Sequence, residues 1–103
     1  MITAVFFKKG GKFKGFRISG HSGYADPGAD IVCSAVTATA QLAANAATEQ
    51  FGVNARVSVD EAQAILEFSF DDDENGEKIV AALYGELTVL SGDYPENLRV
   101  AIQ

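Results

Sequence analysis

The chain of 103 residues has no tryptophan, one histidine, one cysteine, one methionine and two prolines. A single cysteine forms no intrachain disulfide, which fits a reducing compartment. One cysteine and one histidine also fill no structural zinc site without carboxylates or a second chain. No GxxxxGK[ST] phosphate loop is present, so neither a metal nor any other cofactor is expected. No uninterrupted apolar run reaches the ~18 residues of a membrane span, and no membrane association is expected. The opening MITAVFFKKGG places its basic residues after the apolar run and shows no small-residue cleavage site. A secretory signal has the opposite order, so the expected location is cytoplasmic. Basic residues are scarce as well: 8 against 14 acidic, for a net charge of -6. That excludes nonspecific nucleic-acid binding by the surface as a whole.

What is present points to one folded domain over residues 1–103. The composition is 48% hydrophobic and 21% charged, which suits a globular chain with a single core. The charge is unevenly placed. Lys8, Lys9, Lys12, Lys14 and Arg17 lie together near the start, and Asp71, Asp72, Asp73, Glu74 and Glu77 lie far along the chain. Either these are two solvated turns of opposite sign, or the basic stretch meets an acidic or RNA-rich partner. Direct RNA binding is left open.

Residues 2–9 and 12–19 read as strands around Gly10-Gly11, a strong hairpin signal because primed turns need positive φ. Residues 21–29 lack periodicity and carry Gly23, Pro27 and Gly28, the marks of a loop. From about Asp30 to Gln50 the pattern is helical, with Ile31, Ala35, Ala38, Leu42 and Ala46 at spacings of three or four. Gly52 is placed to end it. Residues 55–59 and 63–70 alternate as a second hairpin. One of the aspartates after it is placed to cap a helix over 77–90, whose stripe is Ile79, Val80, Leu83, Leu87 and Leu90. Residues 98–102 give a last strand. The order β-β-α-β-β-α-β predicts an α+β fold in which a mostly antiparallel sheet packs against two helices.

The stretch Gly20 to Val36, GHSGYADPGADIVCSAV, holds both the histidine and the cysteine. If Asp30 caps the helix, Cys33 falls in its first turn, where free N–H groups and the helix dipole favour a thiolate. His21 closes a strand, and the loop after it is long enough to return the chain to that strand end. A Cys–His pair so placed has the parts for acyl transfer: nucleophile, general base and acid, and helix N–H groups for the oxyanion. Asp30 has two readings, as the helix cap or as the carboxylate that orients the imidazole; Asp26 is another candidate for the second role. A lone cysteine on an alanine-rich helix is also commonly a small buried hydrophobe. A binding module without catalysis, docking on an acidic or RNA-rich partner (the ribosome, on the resemblance given next) through the basic hairpin, and a thiol redox sensor are the competing readings.

The motif Gly20-His21, a loop with Gly23 and Tyr24, Gly28-Ala29-Asp30, Ile31-Val32, Cys33 and Ser34-Ala35-Val36 resembles the signature of the bacterial ribosomal-processing cysteine protease family. The resemblance implies a cysteine endopeptidase that removes the N-terminal extension of a large-subunit ribosomal protein, the twenty-seventh, by cutting after an aromatic pair. It implies Cys33 as nucleophile, His21 as general base and acid, and Asp30 as a supporting residue. It further implies a homodimer and a mobile substrate loop over about Ser22 to Ala29, with Gly20, Ser22, Gly23, Tyr24 and Gly28 as its contact residues.

Overall fold

The computed structural model describes the backbone of residues 1–20 and 27–103 and the side chains of 1–20 and 31–103. Strand β1 (Ile2–Lys9) turns at Gly10-Gly11 into β2 (Lys12–Ser19). Both glycines have positive φ, 62° and 78°, as a primed two-residue turn requires. Helix α1 (Pro27–Asn45) runs on into a wider turn over Ala46–Gln50, in which the Phe51 N–H donates to the Ala46 carbonyl. Gly52, at φ 63°, then reverses the chain. Strands β3 (Ala55–Asp60) and β4 (Ile65–Phe70) form the second hairpin. Helix α2 (Glu74–Asp93) and strand β5 (Leu98–Ile102) follow.

Among the described residues the strands form one mixed sheet in the order β3-β4-β2-β1-β5. Only the β1–β5 pair is parallel; the hairpin partners and the β2–β4 pair are antiparallel. The expected α+β order is therefore observed. Both helices pack on one face of the sheet, over Ile2, Ala4, Phe6, Phe16, Ile18, Phe68, Phe70 and Leu98, all buried. Phe16 stacks on Phe68 at 5.3 Å, and Phe6 meets Tyr84 edge-on at 5.2 Å. Burying each such ring contributes roughly 1.5–3 kcal/mol. Gly76 lets the first turn of α2 rest on Phe70, since a Cβ there would come within 2.8 Å of the ring.

Helix α2 is capped by an aspartate of the acidic turn as expected, but it starts at Glu74 and ends at Asp93, each three residues beyond the expected 77–90. Asp73 is its N-cap and accepts a hydrogen bond from the Gly76 N–H at 3.0 Å. Asp73→Ala is expected to cost about 1 kcal/mol, the usual worth of a cap, seen as a lower urea midpoint at unchanged slope.

Helix α1 departs from expectation in two ways. It begins at Pro27, not Asp30. Proline suits the first helical position, because its φ is preset and its missing N–H has no helical partner there; Pro27 and Gly28 belong to the helix rather than to the loop. Its buried face is also shifted. Val32, Val36, Ala40, Ala44 and Ala47 face the core, while Ile31 and Leu42 are 59% and 70% exposed. Alanines on every side leave the periodicity without a clear phase, and the two valines take the core. The span Ile31–Gln50 is, at 20 residues and mean hydropathy 1.2, long and apolar enough to cross a membrane, contrary to the reading from uninterrupted runs. Its alanines supply that hydropathy, and its valine face packs in the protein core.

The two charge clusters, distant in sequence, meet in space. Lys14 Nζ donates to Asp72 at 2.9 Å and to Glu77 at 3.1 Å, and Arg56 pairs with Asp71 at 3.2 Å. The basic hairpin is thus partly neutralised by the acidic turn. The Lys14 hydrogen bond holds Asp72 below its ordinary 3.8. The bonds to Asp72 and then Glu77 raise Lys14 above its ordinary 10.5. The Asp72 contribution to stability is complete above its unfolded value and is lost as pH falls through the lower folded value. The Lys14 contribution is complete below 10.5 and is lost as pH rises through the higher folded value. Lys14→Met is expected to lower Tm modestly at neutral pH, where both pairs are intact, and so to flatten both limbs of a Tm-against-pH curve; the drop stays small because Asp72 is exposed to solvent.

Candidate active site

Cys33 is the seventh residue of α1, in its second turn. It therefore lies beyond the free N–H groups that open the helix, not in the first turn that a cap at Asp30 implied. The backbone of Asp30 is inside the helix, so it does not stand at the cap position. Positions 30 and 33 are three apart and share a helix face. The Cys33 thiol is free and half-buried.

Cys33 opens onto a groove of about 330 Å³ between α1 and the β3–β4 hairpin. The helix wall is Cys33, Thr37, Ala40 and Gln41, spaced as i, i+4, i+7 and i+8 on one face. The opposite wall and floor come from Ile18 and Gly20 at the end of β2, and from Val59 to Glu61 and Ala64 to Leu66 across the hairpin turn. That turn is closed by Ala64 at φ 53° and by a hydrogen bond from the Gln63 N–H to Asp60 Oδ1 at 3.1 Å. The Gly20 N–H donates to the Ala64 carbonyl at 3.2 Å, tying the end of β2 to this turn. Gly20 itself has φ 86°, and a Cβ on it would run into the Met1 carbonyl oxygen, so glycine is required there. Among the described residues of the groove the charged ones are Asp60 and Glu61.

A larger depression of about 570 Å³ lies at the far end of the first hairpin, among Lys8, Lys12, Lys14, Arg56 and Asp72. Its described lining includes lysines and Ser69, whose hydroxyl accepts a hydrogen bond from Arg56 at 3.2 Å, but no cysteine, so the Cys33 groove is the candidate site despite its smaller size.

The structure thus brings Cys33 and Gly20 to one groove and sets Gly28 in the first turn of α1. His21, Ser22, Gly23, Tyr24 and Asp26 lie outside the described residues. Thr37, Gln41, Val59, Ala64 and Leu66 were not singled out by sequence. The helical spacing from Cys33 carried the signal for the first two. The other three depend on β4 lying beside β2, which local pattern does not reveal.

A half-buried thiol opening onto a groove is placed to act as a nucleophile, and likeness to known proteins fixes the class: the chain is a cysteine protease. A family model described as cysteine protease Prp matches residues 1–99, and the chain belongs to that family. The ribosomal processing cysteine protease Prp of Bacillus subtilis (strain 168) is 28% identical over 91 residues, covering 82% of this chain and 81% of the relative. A Streptococcus mutans crystal structure superposes with a TM-score of 0.91 at 25% identity, covering 100% of this chain and 94% of that one. The S. aureus ribosomal processing protease Prp in complex with a substrate peptide gives a TM-score of 0.92 at 21% identity, covering 100% of both chains. That likeness shows the shared fold. Family membership decides for the enzyme over the binding-module and redox-sensor readings.

Proposed function

We infer that this protease trims the N-terminal extension of a large-subunit ribosomal protein, the twenty-seventh, by cutting after an aromatic pair. Cys33 is the nucleophile, His21 the general base and acid, and Asp30 a supporting residue. The observation that carries the reading is that Gly20 and Cys33 line one groove, and His21 is the next residue after Gly20. That adjacency in the chain supports His21 as the partner of the Cys33 thiol.

The chemistry follows from these roles. His21 takes the thiol proton, and the Cys33 sulfur attacks the scissile carbonyl. The C–N bond breaks as the imidazolium returns its proton to the leaving amine, leaving a thioester. Water, deprotonated by His21, then attacks the thioester, releasing the new carboxylate and restoring the thiol. Asp30 lies three residues before Cys33 in α1, and Ser22, Gly23 and Tyr24 are the residues that the family resemblance assigns to the substrate loop. The ribosomal substrate is supported by the name of the B. subtilis relative. The homodimer and the cytoplasmic location rest on the family resemblance and the sequence reading, and sedimentation of the purified chain tests the former.

The test is to incubate the protein with the extended ribosomal precursor and map the products by mass spectrometry. One cut, on the carboxyl side of the aromatic pair, is the expected result. An intact precursor, or cuts scattered along the chain, would overturn the assignment of substrate.

A further inference from the structure

Behind Cys33 the floor of the groove is a single row of side chains running across the sheet. Ile18 faces Leu66 on the next strand, and Leu66 faces Val59 on the edge strand. Exposure rises along that row: Ile18 is buried, Leu66 is half-buried, and Val59 is 63% exposed. Neither helix covers the outer end, so an apolar shelf emerges from the core beside the thiol. Its other wall is α1, where Thr37, one turn beyond Cys33, is exposed and Ala40, two turns beyond, is buried beneath it. Valine left exposed next to a nucleophile is the kind of apolar patch that marks a binding surface. The charged groups at the mouth, Asp60 and Glu61, are both acidic, which disfavours an acidic side chain in the groove.

We propose that Leu66 and Val59, facing Thr37 across the groove, form the subsite that receives a bulky apolar side chain of the substrate next to the scissile bond. The proposal rests on the protease reading above, and the occupant is the substrate peptide because the subsite is continuous with the groove that holds Cys33. Small residues on the helix wall provide the space, and the Leu66–Val59 row provides the apolar contact. Val59 is the residue that selects, because it stands at the open edge where a side chain enters.

The experiment uses peptides that differ only in the residue preceding the cut: Phe, Leu, Ala or Asp. The unmodified enzyme is expected to prefer Phe and Leu, with the Asp peptide poorest. Val59→Asp is expected to lower kcat/KM for the Phe peptide by about tenfold or more, the scale of losing an apolar contact in a specificity pocket, with most of the change in KM. Val59→Ile should restore the preference. The rate of Cys33 alkylation by iodoacetamide should be the same in all three proteins, which separates a lost subsite from a lost fold or thiol. If Val59→Asp keeps the unmodified preference while Cys33→Ala is inactive, the subsite is wrong and the protease reading stands. If the unmodified enzyme cuts none of these peptides nor the ribosomal precursor, the reading falls and takes the subsite with it.

Discussion

Replacement of Cys33 by alanine is expected to lower peptide cleavage by roughly 10,000-fold or more, the scale on which loss of a catalytic-triad member reduces turnover. The protein should keep its fold, because Cys33 is only half-buried and packs at the margin of the core. Alanine is also the residue type that already surrounds it along α1. Substrate should still bind, since the apolar floor of the groove is untouched. Binding without turnover, measured by peptide fluorescence anisotropy beside a product assay, is the expected pair of results. Cleavage by Cys33→Ala at the wild-type rate would remove the thiol from the mechanism.

The second large effect is on stability. Gly15 lies in β2 opposite Ser69 of β4, and a Cβ there would collide with the Phe68 carbonyl oxygen and press on the Ser69 backbone. Backbone cannot rotate away as a side chain can. Gly15→Val is therefore expected to cost about 3 kcal/mol or more, at the upper end of overpacking penalties, which is a large share of the ~5–15 kcal/mol that holds a domain folded. A urea titration measures it, with Gly15→Ala expected to show most of the same loss. The β2–β4 pair also carries the Ala64–Leu66 segment to the Cys33 groove, so cleavage should fall along with stability. A loss below about 1 kcal/mol would mean that this strand spacing has slack that close packing does not normally allow.

These two positions show how differently site and scaffold are written in the chain. Cys33 stands out in the sequence as a candidate because its motif is contiguous and chemically unusual, and the structure sets it in a groove. The hairpin at Gly10-Gly11 and the Asp73 cap were legible for a similar reason: turn geometry and capping are local, and few residue types satisfy them. The phase and start of α1 were not. Alanine on all sides gives no direction to a helix, and Pro27-Gly28 is ambiguous between loop and first turn. The role of Gly15 was hidden because it depends on which strand lies beside β2, and its partner there, Ser69, comes 54 residues further on. The meeting of Lys14 with Asp72 and Glu77 was missed on the same grounds. The groove walls divide along this line too: Thr37 and Gln41 follow from Cys33 by helical spacing, whereas Val59 and Leu66 follow only from the sheet order.

The most direct measurement of the central claim is to titrate the enzyme with iodoacetamide. Residual cleavage of the ribosomal precursor is followed as label is taken up, and the labelled residue is located by mass spectrometry. Because Cys33 is the one cysteine of the chain, cleavage should fall in proportion to label at Cys33 and vanish at one equivalent. Substrate present during labelling should slow the reaction. Full activity in protein whose Cys33 is fully alkylated would contradict the account.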